Sequence, residues 1–119
     1  MRLLIAISAL ALAASVPAAS ASPAKKVLRG TVGPGFVITL KNSAGQIVKT
    51  AKAGEYILVV QDKSAIHEFH LVGPGINKNF TSLAFRGTKT FTIKVRPGRY
   101  IYQCDPHTPD MKASVKVIR

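Results

Sequence analysis

Short apolar runs alternate with glycine- and proline-containing turns along most of the chain, and no stretch shows the 3.6-residue period of an amphipathic helix. Turn formers such as Gly33-Pro34-Gly35 and Pro97-Gly98 separate these runs. The runs of strand length are residues 27–32, 36–40, 56–61, 66–72, 88–95, 100–104 and 113–118. About seven short strands at this spacing predict an all-β fold, a β-sandwich with Greek-key connections.

The side-chain alternation within two of these runs indicates which residues face the core. Phe91, Ile93 and Val95 share one parity, and Cys104 falls on the parity of two tyrosines upstream of it. The stretch 73–87 lacks such alternation, so we expect it to be irregular and to cross between the two sheets.

The first 21 residues have the composition of a signal peptide. Arg2 is followed by an apolar run over 3–16 that is too short for a stable membrane anchor, and Ala19-Ser20-Ala21 is a small-residue cleavage site. We therefore expect cleavage after Ala21, a signal peptide over 1–21, and one secreted or periplasmic domain over 22–119. These 98 residues suffice for one domain and are too few for two.

The chain is strongly basic, with a formal net charge of +12 that becomes +11 once Arg2 is removed with the leader. Its cations are spread out, with no dense run beyond Lys25-Lys26, and aromatic residues do not interleave with them. This pattern argues against nucleic-acid binding. Two interpretations stay open: a solvated surface, or attraction to an acidic protein or an anionic membrane. Nothing in the sequence indicates the oligomeric state, and we expect a monomer.

Residues 104–111 concentrate the chain's metal-binding chemistry. Cys104, His107 and Met111 lie within eight positions, and Cys104 is the only cysteine of the chain. Pro106 and Pro109 stiffen this loop, so a thiolate, an imidazole and a thioether could converge there. With one further histidine, they form the ligand set of an electron-transfer copper site, in which a thiolate and two imidazoles surround the metal and a thioether lies on the axis.

The same residues have other interpretations. Each residue alone fits a structural role, as a core methionine, an inert buried thiol or a loop histidine. A catalytic Cys-His pair leaves Met111 unexplained and lacks an activating helix N-terminus. Structural zinc sites rarely recruit methionine.

The run Tyr100-Ile101-Tyr102-Gln103-Cys104, followed by a C-x-x-H-x-x-x-M spacing and a closing strand, resembles the C-terminal signature of the cupredoxins, the blue copper proteins. The segment 66–71 resembles their first-ligand strand. The resemblance implies a Greek-key sandwich with one copper ion at one end, held by an upstream histidine, Cys104, His107 and Met111.

Two histidines could supply the upstream ligand. His67 and His70 are three positions apart, which places them on opposite faces of a strand, so only one can point at the metal. In the family the first ligand opens its strand directly after a loop. His67 fits that place, and we expect His70 to be a partly exposed or hydrogen-bonded strand residue.

The sequence departs from the family pattern at two points. Glu68 stands where many cupredoxins have an asparagine that ties the two ligand loops together, and an ionised acid cannot donate those bonds. Its charge would favour Cu(II) and lower the reduction potential. The three residues between His107 and Met111 place axial ligation by Met111, but not copper binding, in question.

The resemblance implies a one-electron carrier and not an enzyme, with His107 nearest the surface as the electron route. The positive charge would speed encounter with an acidic redox partner. A copper-binding or copper-delivery protein of the cell envelope, and a metal-free sandwich-fold binding module, are the alternatives.

Overall fold

A computed structural model describes residues 9–15 and 25–119. Residues 9–15 carry no regular secondary structure. The expected cleavage site after Ala21, and the remainder of the expected signal peptide, lie outside the described residues. Within the described ranges, no helix is both long and apolar enough to cross a membrane.

Residues 25–119 form nine strands and one short 3₁₀ helix. The strands are β1 (Lys26–Val32), β2 (Ile38–Asn42), β3 (Thr50–Lys52), β4 (Gly54–Asp62), β5 (Phe69–Gly73), β6 (Ile76–Thr81), β7 (Gly87–Val95), β8 (Gly98–Gln103) and β9 (Lys112–Ile118), and the 3₁₀ helix covers Asp105–His107. They build a four-stranded sheet, β2-β1-β4-β7, and a five-stranded sheet, β3-β9-β8-β5-β6. The predicted all-β Greek-key sandwich is confirmed.

The core lies between the two sheets and follows from side-chain alternation. In β4, Tyr56, Leu58 and Val60 point inward and are buried. The predicted parity of β8 is also confirmed, because Tyr100, Tyr102 and Cys104 are all buried. In β7, Ile93 and Val95 are buried and Phe91 packs against the core at its edge.

The structure corrects the prediction for 73–87. This stretch is not irregular throughout, because β6 occupies Ile76–Thr81 and pairs with β5; only residues 82–86 cross to the other sheet. Both strands that the sequence failed to predict, β3 and β6, lie at an edge of the five-stranded sheet. β3 and β6 expose polar residues on most positions, so they lack the apolar alternation that identifies a strand.

The predicted strand over 66–72 also begins later than expected, at Phe69. His67 therefore precedes the strand, while His70 lies within it. The two histidines still point apart: His67 is fully buried, and His70 is partly exposed. Four connections meet at the end of the sandwich where His67 lies, namely 33–37, 63–68, 82–86 and 104–111.

Candidate metal centre

His67 is held by a tight turn between β4 and β5. Its main-chain N–H donates to the carbonyl oxygen of Ser64 over 3.2 Å, and the N–H of Ser64 donates to the Asp62 carboxylate over 3.1 Å. Gly33 approaches the ring from the neighbouring connection, with a φ of +74° that favours glycine. A β-carbon at Gly33 would lie 2.9 Å from Cδ2 of His67, so the glycine makes room for the imidazole.

The loop after β8 is closed by three main-chain hydrogen bonds. The N–H of His107 donates to the carbonyl of Cys104 over 3.0 Å, and the N–H of Met111 donates to the carbonyl of His107 over 2.9 Å. The N–H of Cys104 donates back to the carbonyl of Met111 over 3.0 Å. Pro106 lies in the short 3₁₀ turn. This ring of bonds fixes the positions from which Cys104, His107 and Met111 present their side chains.

Three of the four predicted ligand residues bring their donor atoms together. Nδ1 of His67 lies 3.2 Å from Nδ1 of His107, and Sγ of Cys104 lies 3.3 Å from Nδ1 of His107 and 3.8 Å from Nδ1 of His67. Met111 is fully buried and is anchored to the same loop through its main chain. His67 and Cys104 are also fully buried, whereas His107 keeps part of its surface exposed.

This arrangement fits a single metal ion. Three ligand atoms in a plane around one ion, with metal–nitrogen and metal–sulfur bonds of about 2.0 and 2.3 Å, lie about 3.5 to 3.7 Å from one another. The three distances between the donor atoms are within a few tenths of an ångström of these values. One thiolate and two imidazoles are the donors that suit copper in both of its oxidation states.

Without a bound metal ion, Cys104 is in its protonated thiol form. Burial raises the pKa of the Cys104 thiol, and main-chain N–H groups of Glu68 and His107 that donate to Sγ offset only part of this effect. A metal ion must therefore displace the proton. The two main-chain N–H groups then stabilise the thiolate, because they donate hydrogen bonds to its negatively charged sulfur.

Glu68 joins the two ligand-bearing segments, but as an acceptor. Its Oε1 accepts from the N–H of Asp105 over 3.3 Å, and its Oε2 accepts from the side-chain amide of Asn79 over 3.2 Å. The expectation that an acid cannot donate is compatible with this contact, because here the main chain supplies the donor. Burial, reinforced by the nearby Asp105 carboxylate, raises the pKa of Glu68.

His70 lies apart from the three converging donor atoms. Its Nδ1 is 2.8 Å from Oδ1 of Asp105, and its Nε2 is 2.6 Å from Oδ1 of Asn77. Burial opposes the charged form, but the contacts with Asp105 and Asn77 outweigh it and raise the pKa of His70. Burial likewise opposes ionisation of Asp105, yet hydrogen bonds from His70 and Gln103 lower the pKa of Asp105. The structure therefore places His67, and not His70, beside Cys104 and His107.

Phe36 and Gly33 belong to this site and were not singled out from the sequence. The Phe36 ring packs edge-on against both imidazoles, with centroid distances of 5.6 Å to His67 and 4.9 Å to His107, while 61% of its surface stays exposed. In the sequence, only the turn Gly33-Pro34-Gly35-Phe36 marks these two residues. Similar turns end other strands of the chain, so this turn does not identify a site.

No protein-family model matches the sequence, and a search of curated proteins finds no match. Among solved structures, a methionine-to-glutamine variant of rusticyanin is similar, with a TM-score of 0.50 and 16% identity over 77% of this chain and 76% of that one. A tryptophan-to-tyrosine variant of reduced amicyanin has a TM-score of 0.48 and 18% identity, over 84% and 88%. A purple cupredoxin from Nitrosopumilus maritimus has a TM-score of 0.47 and 16% identity, over 76% and 98%.

At these identities the likeness concerns the fold, and the donor group stands on its own geometry. The protein thus has the cupredoxin fold, and one end of its sandwich carries a His-Cys-His group of the kind typical of cupredoxins, with His67 and Cys104 buried and His107 partly exposed.

Proposed function

We propose that this protein is a one-electron carrier of the cell envelope that binds one copper ion through His67, Cys104 and His107, with Met111 as a weak fourth ligand. The convergence of Sγ and the two Nδ1 atoms, each 3.2 to 3.8 Å from the others, is the observation that carries this proposal. When bound, copper supplies the exchange of a single electron between its two oxidation states.

The chain contributes a site that need not rearrange. Cys104 and Met111 are fixed by the hydrogen-bonded loop, and His67 is held between its turn and Gly33. Because all three are fully buried, water is excluded from most of the site. A fixed and dry set of donors favours electron transfer, since little nuclear movement accompanies the change of charge.

His107 supplies the route to a partner, because it is the donor residue of the three that reaches the surface. The exposed Phe36 ring packs against His107, and three more exposed apolar side chains lie on the connections at this end of the sandwich: Val37, Ile66 and Leu83. We propose that a redox partner docks here. The apolar surroundings let it approach the imidazole without trapping a layer of ordered water.

The location is part of the proposal. The features of residues 1–21 favour export, and a mature chain with a single buried cysteine cannot form an internal disulfide.

The visible spectrum after addition of one equivalent of Cu(II) tests this function. An intense band at about 600 nm is the charge-transfer signature of a Cu(II)–thiolate bond in a trigonal site. We expect the band in the natural protein and its loss in Cys104→Ser. Met111→Leu also removes a sulfur atom but should retain the band, because the thioether is not its source.

Repeated reduction and oxidation separate a carrier from a copper-delivery protein. A carrier keeps its copper through many cycles in the presence of a Cu(I) chelator, whereas a delivery protein releases it. A colourless protein with Cu(II), or a spectrum that Cys104→Ser leaves unchanged, would refute the proposed site.

A further inference from the structure

The positive charge of the protein is concentrated away from the proposed copper end. The segments that form this end, residues 33–38, 62–68, 82–89 and 104–112, carry four Lys or Arg and four Asp or Glu. The rest of residues 25–119 contains the other 12 Lys and Arg residues and a single acid, Glu55. The copper end is thus formally neutral, and nearly all of the net positive charge lies elsewhere on the molecule.

Part of this charge lies on the outer face of the five-stranded sheet. In β9 the exposed Ser114 and Lys116 alternate with Val115 and Val117, which face the core. Arg99 of β8 is also exposed and lies directly opposite Lys116 in the antiparallel register. Like charges in directly opposed positions destabilise a sheet. This pair therefore concentrates positive charge at one place on the outer face.

Several of the chain's cations line two adjoining open grooves. One groove, of about 620 Å³, is lined by Lys49, Arg99, Ser114 and Lys116 among others. The second, of about 570 Å³, shares Lys49 with the first and adds Lys25, Lys26, Lys52 and Ile47. We call the surface formed by these two grooves the basic face.

The basic face combines unpaired cations with exposed apolar side chains. Within residues 25–119 the ion pairs are Lys25 with Glu55 and His70 with Asp105, so Lys49, Arg99 and Lys116 have no acidic partner there. Ile47 on this face is 47% exposed, and Ile118, paired with Lys52 across the strands, is 39% exposed. Arg99 is five strand residues from Cys104, a separation of about 17 Å.

We infer that the basic face binds an anionic phospholipid surface and so holds the protein with its copper end directed away from the membrane. Cations spread over two open grooves match a sheet of phosphate headgroups better than a single compact anion. The exposed isoleucines among them suit the boundary between headgroups and acyl chains. This orientation would leave His107 free to meet a redox partner while the carrier stays at the membrane.

Binding of the metal-free protein to vesicles tests the inference independently of copper. The vesicles are phosphatidylcholine with or without phosphatidylglycerol, at about 0.15 M salt. Each cation near an anionic surface strengthens partition about fivefold. The variant Lys49→Gln, Arg99→Gln, Lys116→Gln should therefore lose about 100-fold in partition to the anionic vesicles.

A second triple variant at the copper end is the matched control. Lys63→Gln, Arg86→Gln, Lys89→Gln has the same net charge, and we expect it to lose less than about fivefold in partition. Equal losses in the two variants would show that net charge alone drives binding and would overturn the inference. Vesicle binding by the natural protein that needs no phosphatidylglycerol would also overturn it.

Two competitors decide what the basic face binds. Inorganic phosphate, added at constant ionic strength, should leave vesicle binding unchanged; displacement would show a site for a single phosphate. Polyglutamate should bind more weakly than the vesicles. Binding to polyglutamate without binding to vesicles would assign the face to an acidic protein and refute the membrane assignment.

Discussion

Nδ1 of His67 lies 3.2 Å from Nδ1 of His107, although the two residues are 40 positions apart in the chain. When both nitrogens offer lone pairs they repel each other, so the contact is favourable only if a proton or a metal ion lies between them. Sγ of Cys104 completes the triangle. The folded chain thus holds three donor atoms at a spacing that a metal ion would stabilise.

Replacement of each of the two candidate histidines by asparagine should have opposite outcomes. Loss of a residue that only hydrogen-bonds to a metal ligand lowers metal affinity by about 10- to 100-fold. His67→Asn removes a donor atom itself, so we expect copper affinity to fall by more than this. His70→Asn should bind copper and keep the thiolate band, because His70 contacts Asp105 and Asn77. Copper titrations followed by absorption distinguish the two; loss of the band in His70→Asn alone would reverse the assignment.

Gly33→Ala is expected to disturb the site through His67. The new methyl group would lie 2.9 Å from Cδ2 of the imidazole, and alanine at a φ of +74° is strained by about 1–2 kcal/mol. We expect a shifted or weakened thiolate band and a lower urea midpoint. Gly35→Ala is the control, since nothing lies within 4 Å of its added carbon and the same loop is retained. A natural spectrum in both variants would contradict the prediction.

Removal of the Glu68 charge should raise the reduction potential. A buried negative charge near the metal stabilises Cu(II), and at an effective dielectric constant of about 20 a unit charge at a distance on the order of 10 Å is worth about 70 mV. On this scale we expect Glu68→Asn and Glu68→Gln to raise the reduction potential by about 50–100 mV.

The control for this prediction is Glu55→Gln. It removes the same charge from an exposed residue of β4 that pairs with Lys25. In voltammetry of the three variants at one pH, Glu55→Gln should have a reduction potential close to that of the natural protein. Equal potentials in the Glu68 variants and the natural protein would rule out an electrostatic role for Glu68.

The ion pair between His70 and Asp105 should make stability depend on pH. The folded protein raises the pKa of His70, so its protonated form is favoured by folding. This contribution is complete below the unfolded pKa of about 6.5 and is lost as pH rises through the higher folded value. The free energy of unfolding of the metal-free protein should therefore fall over this range.

His70→Gln removes the titrating group while Glu68 and Cys104 still titrate in both proteins. Urea unfolding between about pH 6 and 9 should give a flatter pH dependence for the variant than for the natural protein. Parallel curves for the two proteins would show that folding does not favour the protonated form of His70.

Much of the fold could be predicted from local sequence patterns. β7 alternates apolar and polar residues because one face packs in the core, while β4 and β8 stand out as short apolar runs in which buried and partly buried positions alternate. The edge strands β3 and β6 could not be predicted this way. Their exposed residues are polar on most positions, and only pairing with a neighbouring strand shows that they belong to the sheet.

The sequence by itself determined the composition of the donor group. A single cysteine, followed at short spacing by His107 and Met111, limits the chemistry to a few kinds of metal site, and the loop that holds these residues is local. Local spacing also places Cys104 on the buried face of its strand, because side chains in a strand alternate.

Only the tertiary structure decided how residues distant in sequence meet. It brings His67 to the loop after β8, uses Gly33 and Phe36 to support the imidazoles, and turns Glu68 into an acceptor for Asp105. It also separates the basic face from the copper end. The physical reason is that the connections of a sandwich gather at its ends according to strand order, and strand order depends on the packing of the whole core.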